Sequence, residues 1–215
     1  MFSGIISGFR IDYPLQRVEF RRRISNLLTM KKNKISPETS FCSQFAAGNP
    51  IQALDAFFAF AHLDYYKQNL TDMVMYSYKT KVYNPENPSD AFAFFTAINS
   101  FLKVCYCLQK KSKKWKVKPS LRCETAFQLS SLTKEEYDNP FMVFQKAFDE
   151  KTPKEFEFFL CLIVELSLSP YAGDPESDLV TPYIHLIKVL DAVELMRERG
   201  VEKIRKRDRI EAVVE

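Results

Sequence analysis

The sequence predicts a mainly α fold: a single-domain helical bundle of five or six helices with a small β-hairpin at about 113–129. Three observations predict it. Asn-Pro recurs as punctuation, at 49–50, 84–85, 87–88 and 139–140, and apolar runs follow the first and the last two. Asn caps a helix well and Pro suits its first position, so the pair marks helix starts. The chain holds 19 Phe against 5 Gly in 215 residues. That balance suits helices packed through large side chains, and it leaves little material for loops that cradle phosphate. Finally, the helical pattern ends near Gln109 and period-two spacing takes over, with alternation from 115 to 129.

The elements follow in order. Residues 13–32 read as a helix. After Asn49-Pro50 one long helix is expected to about residue 80, with Leu63, Tyr66, Leu70, Met73 and Val74 on one stripe. A second follows Asn87-Pro88 and is apolar on most sides; a third, FMVFQKAFDE, follows Asn139-Pro140. Beyond Pro153, the run KEFEFFLCLIVELSLS is apolar except for a stripe of Lys154, Glu157, Cys161 and Glu165. Membership of that stripe makes Glu165 a solvent-facing carboxylate and not a buried acid. Residues 173–200 form another helix, opened by Asp174-Pro175 or Thr181-Pro182, with Gly200 where a terminating glycine belongs. The helical domain with its inserted hairpin is thus expected over 1–200, and 201–215 as a charged tail or short helix.

DAFFAFA at 55 and DAFAFFTA at 90 resemble each other. The match does not recur a third time, and a solenoid needs about three units, so two similar core helices are expected.

The period-two stretch contains KKSKKWKVK at 110–118, six lysines around the only tryptophan. From 115 to 129 the odd positions are Trp, Val, Pro, Leu, Cys, Thr, Phe and Leu; the even ones from 114 begin Lys, Lys, Lys, Ser, Arg. Such alternation describes extended chain with one buried face. A turn at 119–121 would pair Lys118 with Arg122, Val117 with Cys123 and Trp115 with Thr125. The lysines then form one solvent-facing row, and Trp115 falls on the core side.

The net charge of +4 conceals polarity. Residues 1–123 carry 19 basic and 8 acidic side chains, the remainder 12 and 19, giving +11 and −7. Basic residues cluster at Arg21–Arg23 with Lys31, Lys32 and Lys34, at 110–118, and in KIRKRDR at 203–209. The candidate anion or nucleic-acid contacts are Lys110, Lys111, Lys113, Lys114, Lys116, Lys118, Arg122 and Trp115. A winged helix-turn-helix is excluded as a sequence reader, because the helix before the row is apolar where polar side chains would have to meet base edges.

Five cysteines without a C-x-x-C pair and two histidines offer no zinc spacing. They read as free thiols packed as small hydrophobes, in a cytoplasmic protein without cofactor or metal. His62 reads as a packed imidazole among aromatics, and His185 as lying at the edge of a polar face near Lys188. No nucleophile elbow, phosphate loop, dinucleotide fingerprint or zinc-protease motif is found. No membrane span is expected: the run at 156–172 carries two glutamates and stops at Pro170, short of the ~20 residues required. The N-terminus lacks the basic start of a signal peptide. The expectation is a non-catalytic interaction protein, a subunit or adaptor, with a protein partner or a second copy of itself. The alternative is a non-specific nucleic-acid-binding accessory protein.

Overall fold

A computed structural model describes residues 50–79, 81–83, 89–119, 130–170 and 177–204. The expected helix at 13–32 lies outside them. The described residues form seven helices and a two-stranded antiparallel sheet, the mainly helical fold with a small β element that the sequence predicts.

The long helix expected over 51–80 is two helices, α1 (Pro50–Phe60) and α2 (Leu63–Ser77). His62 is extended at the break, with φ −69° and ψ 158°. Neither glycine nor proline marks this corner, and tertiary contacts supply the reason for it. The turn lays the Tyr66 ring on Phe57, with centroids 4.0 Å apart and planes 14° from parallel. It also lets the Tyr66 hydroxyl donate to the Phe57 carbonyl at 2.8 Å. That carbonyl lies in the last turn of α1 and has no partner within the helix, so the corner satisfies a group that would otherwise be buried unpaired.

Helix α3 (Ser89–Lys111) starts just after Asn87-Pro88. Phe94, Ile98, Phe101, Leu102, Cys105 and Leu108 place its buried face in the core, and Phe101 stacks on Phe57 at 4.3 Å. Phenylalanine therefore does at the centre what the composition suggests. By length and composition Ser89–Lys110 could cross a membrane, which the 156–172 run could not. In this fold 61% of its most apolar window is buried, so packing against neighbouring helices accounts for the apolarity.

Helix α4 (Lys134–Asp138) is a short element that the apolar spacing does not reveal. Thr133 and Glu136 form a reciprocal capping box around its start. Helix α5 (Phe141–Glu150) begins directly after Asn139-Pro140, as expected. In α6 (Pro153–Leu168), Thr152 and Glu155 make a second capping box with Pro153 in the first turn. Glu165 and Cys161 are exposed on its polar stripe, while Phe156, Phe159, Leu160 and Ile163 are buried. Helix α6 packs on α2 and α3. Ser77 of α2 donates to the Ile163 carbonyl at 3.3 Å, and Asn99 of α3 donates to Glu157 at 2.8 Å.

Helix α7 (Val180–Arg199) packs against α5 and α2 through a wholly buried row that includes Leu186, Val189, Leu190 and Val193. Asp178 opens it by accepting from the Val180 and Thr181 N–H groups at 3.0 and 3.1 Å. Pro182 sits inside the first turn, so neither expected Pro pair is the start. Buried Asp191 ties α2 and the segment before α4 to α7: Lys67 donates to it at 2.9 Å and the Ser131 N–H at 2.7 Å.

The sheet requires a correction. Strand β1 (Trp115–Val117) pairs with β2 (Val201–Lys203), in the register Trp115–Lys203, Lys116–Glu202 and Val117–Val201. The segment expected as a tail or short helix therefore opens as a strand. Gly200, at φ 81°, reverses the chain after α7 and aims β2 back along β1. The local pairing expected between 115–118 and 122–125 lies outside the described residues on its second strand.

Candidate functional site

The basic row starts where α3 runs out. Lys111 closes the helix, Ser112–Lys114 make one 3₁₀ turn, and β1 follows. Trp115 and Val117 are half-buried and pack against the core, whereas Lys114, Lys116 and Lys118 are exposed. The alternation read from sequence thus holds over 114–118. Lys110 and Lys113 are exposed as well, and the Lys110 ammonium lies 4.3 Å from the centre of the Tyr106 ring. Arg122 lies outside the described residues.

Backbone bonds hold this strand from both ends. Lys118 N–H donates to the Gly200 carbonyl at 3.1 Å, and Ile204 N–H donates to the Lys114 carbonyl at 2.9 Å. Arg199 clamps the same corner. Its Nε donates to the Lys118 carbonyl and its Nη1 to the Tyr137 carbonyl, each at 2.6 Å.

Pairing β1 with β2 has an electrostatic result that sequence reading missed. Lys203 is exposed and lies across from Trp115, so the KIRKRDR cluster begins on the strand next to the lysines, 85 residues on from Lys118, but on the opposite face of the sheet from Lys116. Among the described sheet residues the opposing charge is Glu202, which meets Lys116 at 3.2 Å. Both side chains are about half exposed, so this pair contributes about 0–1 kcal/mol and offsets little of the local positive field. The signal was the apolar Val201 between a C-cap glycine and the basic run. A buried-face residue at that point announces an element, not a tail.

A second polar assembly lies between α4, α5 and α7. Glu136 is 1% exposed, and all of its bonding comes from donors. Lys146 reaches Oε1 at 2.9 Å; Lys188 and the Thr133 N–H reach Oε2 at 2.8 and 3.0 Å. Burial pushes the carboxyl up, but the bonds from Lys188, the Thr133 N–H and Lys146 outweigh it and hold it down to about 2. A cavity of about 240 Å³ opens beside it, with Val143 and Ile184 on its apolar side and Lys146, Lys188 and His185 on its polar side.

The histidines divide. His185 is largely buried; its Nε2 meets Glu150 at 2.8 Å, and its ring is edge-on to Phe156. His62 is exposed at the start of α2, so its aromatic neighbours in sequence do not enclose it. The corner at 61–62 turns them into the core and leaves the imidazole outside.

Cysteine placement is mixed in the same way. Cys105 is buried, but Cys161 is exposed. Desolvation and the carboxylates of Glu157 and Glu165 push the Cys161 thiol above its ordinary value, which opposes thiolate formation. Among the described residues no group of three His, Cys, Asp or Glu could hold a metal ion.

No protein-family model, curated protein or solved structure gives a significant match to this chain.

Proposed function

We propose that this protein is a non-catalytic interaction protein, a subunit or adaptor, whose basic two-stranded sheet holds an acidic protein partner. One observation carries the reading: Lys114, Lys116 and Lys118 form an exposed row on one face of β1, with Lys110 and Lys113 exposed just ahead of it. Exposed ammonium groups on long stems suit steering and orientation of an acidic surface more than tight burial. A second copy is one such partner, because residues 124–200 carry 7 basic and 15 acidic side chains. A patch complementary to another region of the same molecule supports head-to-tail association.

Non-specific nucleic-acid binding is the second reading, supported by the same lysines. The packing of Trp115 against the core argues against base stacking, so affinity would come from phosphate contacts alone. The two readings separate in one set of measurements. Sedimentation of the protein, alone and with an acidic polypeptide, tests the first; anisotropy of a labelled oligonucleotide tests the second. The interaction reading expects a complex or self-association that Lys114→Glu with Lys116→Glu abolishes. A strictly monomeric protein with no acidic-polypeptide complex, yet with oligonucleotide affinity falling steeply between about 50 and 200 mM salt, would replace it with the second.

A further inference from the structure

The cavity at Glu136 has a donor–acceptor imbalance that selects its ligand. Glu136 accepts from three donors, so its two oxygens have little left to offer. Each ammonium carries three N–H donors. Lys146 and Lys188 each direct one hydrogen bond to Glu136 among the described residues. The unspent capacity is therefore mostly on the donor side, and so is the charge: two ammoniums face one carboxylate. His185 is held by Glu150 at 2.8 Å, and Glu150 is not among the residues that line the cavity.

Val143 and Ile184 supply the apolar part of the lining; Val143 is buried, and Ile184 is 46% exposed near the start of α7. At about 240 Å³ the space is smaller than the roughly 300–1,000 Å³ of sites for drug-sized molecules. It is large enough for a head group and a short chain.

We propose that this cavity binds a small aliphatic carboxylate, its head group bridging Lys146 and Lys188 and its chain resting on Val143 and Ile184. The site is independent of the basic sheet, since none of its walls belongs to β1 or β2. A cationic ligand is disfavoured because it would meet the two ammoniums already gathered on that carboxylate. A bare inorganic oxyanion would satisfy the lysines but leave the apolar wall exposed.

The two histidines make the test direct. His185 lines the cavity and His62 does not, so imidazole resonances in a ¹H–¹³C spectrum supply a reporter and an internal control in one sample. Butyrate is the probe, titrated at constant ionic strength, with inorganic phosphate and butylammonium in parallel. Butyrate is expected to shift His185 saturably, half-maximal on the order of 1 mM for so small a ligand, while His62 stays still. Phosphate should bind at least about tenfold more weakly and butylammonium should give no saturable response.

Lys188 also holds the buried Glu136, so removing it mixes binding with stability. The informative variant is Ile184→Glu at the exposed rim, which places a negative charge against the head group; it should weaken butyrate at least about tenfold with unchanged His62 resonances. The proposal is overturned by an absent or linear His185 response or by one that His62 mirrors. It is overturned equally by phosphate or butylammonium matching butyrate, or by unchanged butyrate affinity in Ile184→Glu.

Discussion

Lys203 faces Trp115 across a two-stranded antiparallel sheet, and that single register brings the start of the second basic segment to the strand next to the first. Trp115 contributes its ring to the core side of this pair. Its emission should accordingly be blue-shifted relative to free tryptophan. Trp115→Ala should cost about 2–3 kcal/mol in denaturant unfolding, below the 3–5 of a wholly buried tryptophan. Lys114→Glu with Lys116→Glu should leave both emission and stability near wild type while removing the affinity for acidic polypeptide. Red-shifted emission in the native protein would show that the ring is not packed.

Gly200 sets the direction of β2. Its φ of 81° with ψ of 147° belongs to backbone that side chains rarely adopt. A Cβ added there would meet only the Lys118 side chain, at an ordinary 3.7 Å. The cost of Gly200→Ala is thus conformational, about 1–3 kcal/mol in chemical denaturation. The same variant should also weaken polyanion binding, because Lys118 N–H depends on the Gly200 carbonyl for its bond. Wild-type stability in Gly200→Ala would argue that this conformation is not required.

Glu136 serves three donors and one capping box. Glu136→Gln keeps the shape but removes the charge that Lys146 and Lys188 share. A loss of about 2–4 kcal/mol is expected, from charge-assisted bonds together with a weakened cap. Both lysines are partly exposed and can turn to water, which keeps the figure below that of a sealed ion pair.

The same carboxylate sets an acid limit. Its folded-state value, about 2, lies below the ordinary value of 4.5, so the folded protein holds the ionised form more strongly. The resulting stabilisation, about 3 kcal/mol, is fully present above pH ~4.5 and is lost as pH falls toward 2. Unfolding curves between pH 5 and 2, taken at about one-unit steps, should therefore slope less steeply in Glu136→Gln than in wild type. Parallel slopes would mean that other carboxylates govern acid unfolding.

Local signals were readable where a residue acts through its immediate neighbours. Asn139-Pro140 marks α5 to the residue, and the Lys-Trp-Lys-Val-Lys alternation places Trp115 inward and Lys116 outward. The capping box Thr133-x-x-Glu136 was equally legible by its spacing, but the apolar run that should follow it is only a five-residue helix. The corner at 61–62 was not legible, since the stacking of Tyr66 on Phe57 decides it and no turn residue does. Nor was the partner of β1. Sequence parity favours the next segment along the chain, whereas the strand from beyond α7 arrives only through the packing of α7 on α2 and α5. The Glu136 cavity draws on α4, α5 and α7, and no spacing within one element encodes it.

The β1–β2 pairing also fixes an order of events. A contact between residues 115 and 203 closes a loop that contains α4 to α7, and non-local contacts of this kind slow folding. During synthesis the ribosome releases the lysine strand long before its partner exists. For that interval the backbone groups of Trp115–Val117 lack the strand partner that β2 later supplies. Completion of β2 therefore closes the sheet only after α7 has been made.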